Sequence, residues 1–334
     1  MVAMLILTTL ALAQAAPQLG PMKTFGDWVV ACDNAKRCEM TSLMPEGGDW
    51  SEHGWQLAVT RAAGPAGGWS VELFGHDGPA AGLTLKIDGA AGAAWRGHAF
   101  NGADAAALVA AMANGKGVTL HDAGGKSIGR ISLTGSSASL RFIDAEQGRA
   151  GTVSAAVARG SKPASAVPAA PALPVIASVR AAGAPAALSP ALLEQLWTQS
   201  GCAENYEGEP RPDVERHALG GGATLVLVPC GAGAYNFSTV PYVVRGGTAA
   251  LAGFDAAPGW GGEDGPPMLV NAGFDAKTGE LGSYAKGRGI GDCGSAETWV
   301  WDGTRFRLTE ARAMGECRGS TNWLAVWRAR AVAK

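Results

Sequence analysis

Charge is scarce in this sequence. Asp, Glu, Lys and Arg make up 17% of the 334 residues, and the formal net charge is −2. So sparse a set argues against a coiled coil or a charged disordered chain. Its balance offers no overall field for nucleic acid or an anionic membrane surface. Histidine is scarcer still, with five residues at 53, 76, 98, 121 and 217. No two of them stand at the i,i+4 or H-x-H spacing of a zinc pair, so they read as scattered surface or capping residues. No metal or other cofactor is expected. No two cysteines form C-x-x-C, the usual redox or zinc spacing. Beyond residue 15 no apolar run approaches the roughly twenty residues of a membrane-spanning helix, so the mature chain is expected to have no transmembrane segment.

Glycine, by contrast, is abundant at 49 residues. That suits short strands joined by many turns, and the length suggests two domains. Residues 2–12 are almost wholly apolar, and Ala13-Gln14-Ala15 fits the A-x-A cleavage pattern. Residues 1–15 therefore read as a signal peptide cleaved near Ala15, although the usual basic n-region is missing. A leader followed by six cysteines points to a disulfide-stapled protein, periplasmic or secreted.

The stretch 286–319 organises the rest. Asp302-Gly303 is a strong turn signal, because both central positions of a type I′ turn need positive φ. A two-residue loop would pair Trp301 with Thr304 and Trp299 with Phe306. Trp299, Trp301, Phe306 and Leu308 would then share the core face, with Thr298, Val300, Arg305 and Arg307 opposite. In that register Cys293 faces Arg312, five residues short of Cys317. A bond between the two cysteines then needs a bulge or short loop, for which Met314-Gly315 is the natural place.

The same stretch carries two competing motifs. Gly291-Asp292-Cys293-Gly294-Ser295 resembles the nucleophile loop of chymotrypsin-fold cysteine proteases, which needs a free thiolate and a base. A cysteine hydrolase using Cys293 is thus the alternative function, but the even cysteine count favours a structural disulfide. Gly289, Gly291 and Gly294 match G-x-G-x-x-G. A strand pattern follows instead of a helix, so the dinucleotide reading lacks its context.

Near the other end, Phe25 to Asn34 reads FGDWVVACDN. Trp28, Val30 and Cys32 fall on one face of a strand, Asp33-Asn34 begins a turn, and Cys38 follows. Six cysteines allow fifteen pairings. The sequential set, Cys32–Cys38, Cys202–Cys230 and Cys293–Cys317, is preferred because each pair flanks a self-contained unit.

The opening FGDW, V-x-x-CDN and the following cysteine resemble the secreted proteobacterial domain-of-unknown-function family eleven-seventy-six. ISLTGSSASLRFIDAEQGR at 131–149 and FDAKTGELGSYAKGRGIGDCG with WVWDG at 274–303 strengthen that resemblance. The N-terminal half is also similar to the invasion-associated locus B family. The resemblance implies a periplasmic or secreted location and carries no established catalytic residues.

In chain order, strands are expected at 56–60, 69–74 and 82–87, then a helix at 103–112. Strands at 118–120 and 128–133 precede a helix from Ser136 or Ser137 to about Glu146. Residues 154–187 are rich in Ala, Pro and Ser and read as a semi-extended linker, with 175–179 a candidate edge strand. Ser189-Pro190 opens a helix with Ser at N-cap and Pro at N1. Leu192, Leu193, Leu196 and Trp197 form its apolar face. Glu204, Glu207, Glu209, Asp213 and Glu215, with Arg211, read as a solvated loop; they lack the second half of a glycosidase site and the EF-hand spacing. Strands follow at 236–245, 249–254, 268–274, 281–285 and 323–330. Trp260, Arg305, Arg307, Trp323 and Arg328 form a candidate partner surface for an envelope protein or glycan. The same residues also read as core tryptophans edged by arginines, which is the preferred reading.

The expected fold is mainly β (α+β). It has two antiparallel β-rich domains, 22–153 and 188–334, each with one or two short helices, joined by the Ala/Pro-rich linker 154–187. The expected function is that of a non-enzymatic envelope protein that binds a partner protein or glycan.

Overall fold

The computed structural model of the protein describes residues 16–75, 82–90, 92–259 and 265–334. The leader expected at 1–15 lies outside the described residues, as do His76 and Trp260.

Six strands form an antiparallel meander in the N-terminal half: Met22–Phe25, Trp28–Cys32, Cys38–Ser42, Trp55–Arg61, Trp69–Gly75 and the short Phe100–Asn101. A four-stranded antiparallel sheet takes the order Ser127–Ser132, Gly117–His121, Leu83–Ile87, Ala93–Trp95. The helices Gly102–Met112 and Ser136–Glu146 lie where their periodicity places them. Gly135 precedes the second helix at φ +94°, and a Cβ there would sit 1.8 Å from the Phe25 carbonyl oxygen. Only glycine fits both the backbone angle and the close approach.

The motif at 131–149 ends in a buried polar lock. The Asp144 carboxylate accepts the backbone N–H groups of Ala156, Val157 and Ala158 at 2.8, 2.9 and 3.0 Å. Arg149, fully buried, donates to Gln147 Oε1 at 2.7 Å and to the carbonyls of Ala62 and Gly64 at 3.3 and 2.5 Å. Arg61 lies over the Trp69 ring at 4.2 Å. Burial, with Arg149 nearby, pulls its guanidinium down to about 10.

Residues 154–187 are pinned to the rest. Ala155, Val167 and Ile176 are buried, and the Val179 amide donates to the Trp301 carbonyl at 2.8 Å. The strand Val175–Ser178 pairs in parallel with Arg330–Ala333, the one departure from antiparallel pairing among the described sheets.

The C-terminal half holds two more antiparallel sheets. One runs Glu215–Gly220, Ala223–Ala232, Phe237–Arg245, Thr248–Leu251, with Leu269–Val270 also on the third strand. The other runs Gly273–Asp275, Glu280–Lys286, Gly294–Trp301, Phe306–Met314, Leu324–Arg328. The expected strand at 268–274 is split at Asn271, whose φ is +46°. Helix Pro190–Gln199 starts as read: Ser189 Oγ accepts the Leu192 amide at 3.2 Å. With Leu196 and Trp197 it covers Val226, Val228 and Val240. Alternate residues Leu225 and Leu227 face the core between the two sheets.

The strand Trp28–Cys32 joins the two halves. Trp28, Val30 and Cys32 enter the N-terminal core with Met40, Leu57 and Ile143. Val29 and Ala31, on the opposite face, enter the C-terminal core with Trp299, Phe306 and Leu324. A strand whose side chains alternate between faces can be buried on both only if each face meets its own layer.

The hairpin register differs from the expectation. Trp301 pairs with Phe306 and Trp299 with Leu308. Asp302 holds the turn open: its carboxylate accepts the Thr304 and Arg305 amides at 2.7 and 2.9 Å and the Thr304 hydroxyl at 2.7 Å. Asp-Gly thus begins a four-residue loop at 302–305, which moves the register by two. A bulge after Thr298, which pairs with Glu310, moves it by one more. Gly294 then pairs with Met314, where the strand ends, and the chain turns back to Cys317. The face assignment holds, since Trp299, Trp301, Phe306 and Leu308 are all buried.

Candidate functional site: a cleft between the two halves

All three sequential disulfides are present, and no free cysteine remains. The Cys293–Cys317 bond removes the thiol that the hydrolase alternative needs, so that reading is corrected. What the motif at 286–294 builds instead is a braced loop. Gly287 N donates to the Cys293 carbonyl at 2.8 Å and Gly291 N to the Arg288 carbonyl at 2.9 Å. Gly291 has φ +70°, a conformation that costs glycine little. Arg288 Nε donates to Asp292 Oδ1 at 2.7 Å, and a second guanidinium nitrogen meets Oδ2. Asp292 is fully buried and also accepts the Gly319 amide at 2.7 Å. Burial pushes this carboxyl up, but the Arg288 guanidinium and the Gly319 amide outweigh it and hold it below the usual carboxylate range.

The segment following Cys317 is the junction with the N-terminal half. Arg318 donates from Nε to the Met44 carbonyl and from an end nitrogen to the Gly26 carbonyl, both at 2.9 Å, and its other end pairs with Asp27 at 2.5 Å. The Met44 amide donates back to the Arg318 carbonyl at 2.8 Å. Ser320 Oγ lies 3.2 Å from Thr41 Oγ1, and Asn322 Nδ2 donates to Glu39 at 3.0 Å. Gln56 Nε2 donates to the Gly319 carbonyl. A second attachment pairs Arg328 with Asp33, and the Arg328 amide donates to Asn34 Oδ1 at 2.8 Å.

Between the braced loop and the N-terminal sheet lies a cleft of about 460 Å³. Trp50, Gln56 and Phe74 form its N-terminal wall, and Ile290, Gly319 and Thr321 the other. Trp50 sits on the one-turn helix Trp50–His53, whose N-cap Asp49 accepts the Ser51 amide at 2.6 Å. Trp50 is 42% exposed and Ile290 55%. Two large apolar side chains on supports fixed by hydrogen bonds and a disulfide are a surface of the kind that binds partners. Gln56 is buried, its amide nitrogen is committed to Gly319, and its Oε1 has no hydrogen-bond partner among the described residues. No charged side chain is among the described residues that line the cleft.

A larger groove, about 670 Å³, lies between helix Gly102–Met112 and the strands Leu83–Ile87 and Ala93–Trp95. Its walls are mainly aliphatic and alanine side chains, and its Asp88 is already committed to the Lys116 and Gly117 amides at 3.0 Å.

Of the partner surface expected at the C-terminal tryptophans and arginines, Trp323, Arg305, Arg307 and Arg328 are described. Trp323 is 5% exposed, stacked on Tyr284 at 4.5 Å, with Nε1 donating to the Gly291 carbonyl at 3.0 Å. Arg307 pairs with Asp255 at 2.7 Å, and Arg328 is taken up at the junction. Arg305, on the hairpin loop, and Arg328 stay partly open. Trp260 lies outside the described residues. The acidic loop is solvated, with Arg211 pairing Glu194 at 2.8 Å. No metal-ligating cluster occurs among the described residues.

Sequence reasoning missed Trp50, Gln56, Phe74 and Ile290. For Ile290 the signal was present: an aliphatic residue bracketed by glycines in Gly289-Ile290-Gly291 has no strand or helix to bury it. For Gln56 and Phe74 no local signal exists, because the cleft forms only when distant segments meet.

The Uncharacterized protein YpfG of Escherichia coli (strain K12) is 35% identical over 230 residues, which is 66% of this chain and 65% of that protein. The chain thus matches just under two thirds of that relative's length. The crystal structure of invasion associated protein b from Bartonella henselae is similar at 20% identity and a TM-score of 0.29, over 38% of this chain and 99% of that one. The model of the family described as Protein of unknown function (DUF1176) matches residues 22–330, and the chain belongs to that family.

Proposed function

We propose that the protein is a non-enzymatic binding protein of the periplasm or the extracellular space, which receives a partner protein or glycan in the cleft between its halves. On this reading 22–153 and 188–334 act as two domains, 154–187 connects them, and residues 1–15 are removed on export. The observation that carries it is the pair of exposed apolar side chains, Trp50 and Ile290, held on braced supports across one cleft. Three disulfides support an oxidising compartment.

The test compares the wild type with Trp50→Ala and Ile290→Ser, each immobilised and challenged with a periplasmic fraction and a glycan array. A retained component that is lost with both variants supports the reading. Retention that is identical in all three proteins contradicts it. Edman sequencing of protein recovered from the periplasm, starting at residue 16, supports export; a start at Met1 contradicts it.

A further inference from the structure

We propose that the edge strand Thr248–Leu251 is a second binding site, which takes up an extended, acid-flanked segment of a partner polypeptide as an added strand. Thr248–Leu251 ends its sheet on one side. It pairs with Phe237–Arg245 so that Thr248 meets Arg245 and Ala250 meets Val243, and the Ala252 amide donates to the Pro241 carbonyl at 2.9 Å. Along an antiparallel ladder, bonded and non-bonded positions alternate. Thr248 and Ala250 therefore turn their amides and carbonyls inward, and Ala249 and Leu251 turn theirs outward. These outward groups, two donors and two acceptors, have no partner among the described residues.

Two residues further on, the same edge is already paired. The Phe306 amide donates to the Gly253 carbonyl at 2.8 Å, and the Asp255 amide donates to the Phe306 carbonyl at 3.1 Å. Before Phe306 the chain leaves through the loop 302–305, so this pairing stops short of Leu251. The fold thus shows the edge accepting an extended segment and leaves the adjoining residues bare. Natural sheet edges are commonly guarded by charge or proline. The far edge of this sheet, Glu215–Gly220, carries Glu215, Arg216 and His217. Thr248–Leu251 carries no charge and no proline, and Leu251 is 46% exposed.

The chemistry of the occupant follows from what surrounds the edge. A hollow of about 420 Å³ adjoins it, with Val243, Leu251 and Trp301 as apolar walls and Gly303 and Thr304 beside them. In strand addition the main-chain bonds supply affinity, and such a hollow takes a side chain of the inserted strand. Arg245 also lines the hollow, its guanidinium donating to the Gly303 carbonyl at 2.6 Å. Arg305 belongs to the same loop. Neither arginine has a carboxylate partner among the described residues, whereas Asp255 and Asp302 are both paired with Arg307, at 2.7 and 3.5 Å. Acidic residues flanking the inserted strand would meet these two cations. A second copy of the chain fits less well. Four residues span about 13 Å, far short of the roughly 1,000 Å² that a stable interface between folded proteins buries. The site lies at the opposite end of the strand Gly294–Trp301 from the loop bearing Ile290, so its failure would leave the cleft reading untouched.

The experiment follows amide exchange and shifts of the full mature chain by NMR. The probes are three capped heptapeptides in which valine alternates with threonine. One has glutamate at both ends, one has lysine at both ends, and one has glutamate ends with every amide N-methylated. The expected result is saturable binding of the first, with slower exchange at the Ala249 and Leu251 amides, weaker binding of the second and none of the third. Ala249→Pro removes an outward donor but no bond to the neighbouring strand, a position where edge strands tolerate proline. It is expected to weaken binding about fivefold or more with unchanged thermal stability. Arg305→Glu, which leaves the edge backbone intact, is expected to weaken the glutamate-ended peptide and strengthen the lysine-ended one; it decides the matter should Ala249→Pro not fold. No binding of the glutamate-ended peptide at millimolar concentration, equal binding of the N-methylated one, or binding indifferent to both variants overturns the proposal. A concentration-dependent dimer in sedimentation that Ala249→Pro abolishes would make the occupant a second copy, and the peptide assignment would fall.

Discussion

Asp292 and Gly319 are joined by a hydrogen bond of 2.7 Å, one on each side of the Cys293–Cys317 disulfide. Through it, the loop that presents Ile290 and the segment that holds the N-terminal half become one unit. The cleft is a consequence: one wall is set by the loop and the floor by the junction.

Asp292→Asn tests that unit. The change keeps the shape but removes the charge that meets Arg288 and the Gly319 amide. Hydrogen bonds to charged groups contribute roughly 1.5–3 kcal/mol, so a loss of that order is expected at neutral pH in urea unfolding. The sign with pH follows from a folded pKa held below 3.8. The wild-type advantage is fully present above that ordinary value and disappears as pH falls through the folded pKa. An advantage that persists in full under strong acid would contradict the assignment.

Glu297 has the opposite sign. Burial, the largest influence, raises its carboxyl above 4.5 despite hydrogen bonds from Ser295 and the Gly259 amide. Its neutral form is favoured in the folded state. Relative stability is therefore full below 4.5 and is lost as pH rises through the folded pKa. Glu297→Gln is expected to be more stable than wild type at pH 8, with the difference closing toward pH 4 in thermal melts. A variant less stable than wild type at pH 8 would refute this.

Arg149 is buried with its guanidinium spread over Gln147, Ser154 and two carbonyls. Arg149→Lys cannot reproduce that planar fork. Leaving several buried acceptors unmet is expected to cost about 3–5 kcal/mol. Urea unfolding measures it, and a loss under about 1 kcal/mol would show that the lock is not structural.

Much of the fold was legible locally. Ser189-Pro190 marked its helix to the residue, and the alternation Trp28, Val30, Cys32 marked its strand. Even the core face of the hairpin was readable, because alternation survives a register shift of two. The register itself was not, because Asp302 caps a longer loop with its own carboxylate and a bulge follows Thr298. The surroundings of the expected partner-surface residues were not legible for a related reason. Composition cannot tell an arginine that faces solvent from Arg307, which pairs with Asp255, fifty-two residues earlier in the chain. The cleft depends on contacts such as Gln56 to Gly319, 263 residues apart, which leave no local trace.

The central claim is that the disulfide-anchored segment 316–322 clamps the two halves and shapes the cleft. Hydrogen–deuterium exchange of wild type against Cys293→Ser/Cys317→Ser tests it directly. The account predicts faster exchange at the Met44 and Gly319 amides and along 316–322. The core amides of Leu57 and Val59 should stay protected. Unchanged protection at Met44 and Gly319 in the variant would contradict it.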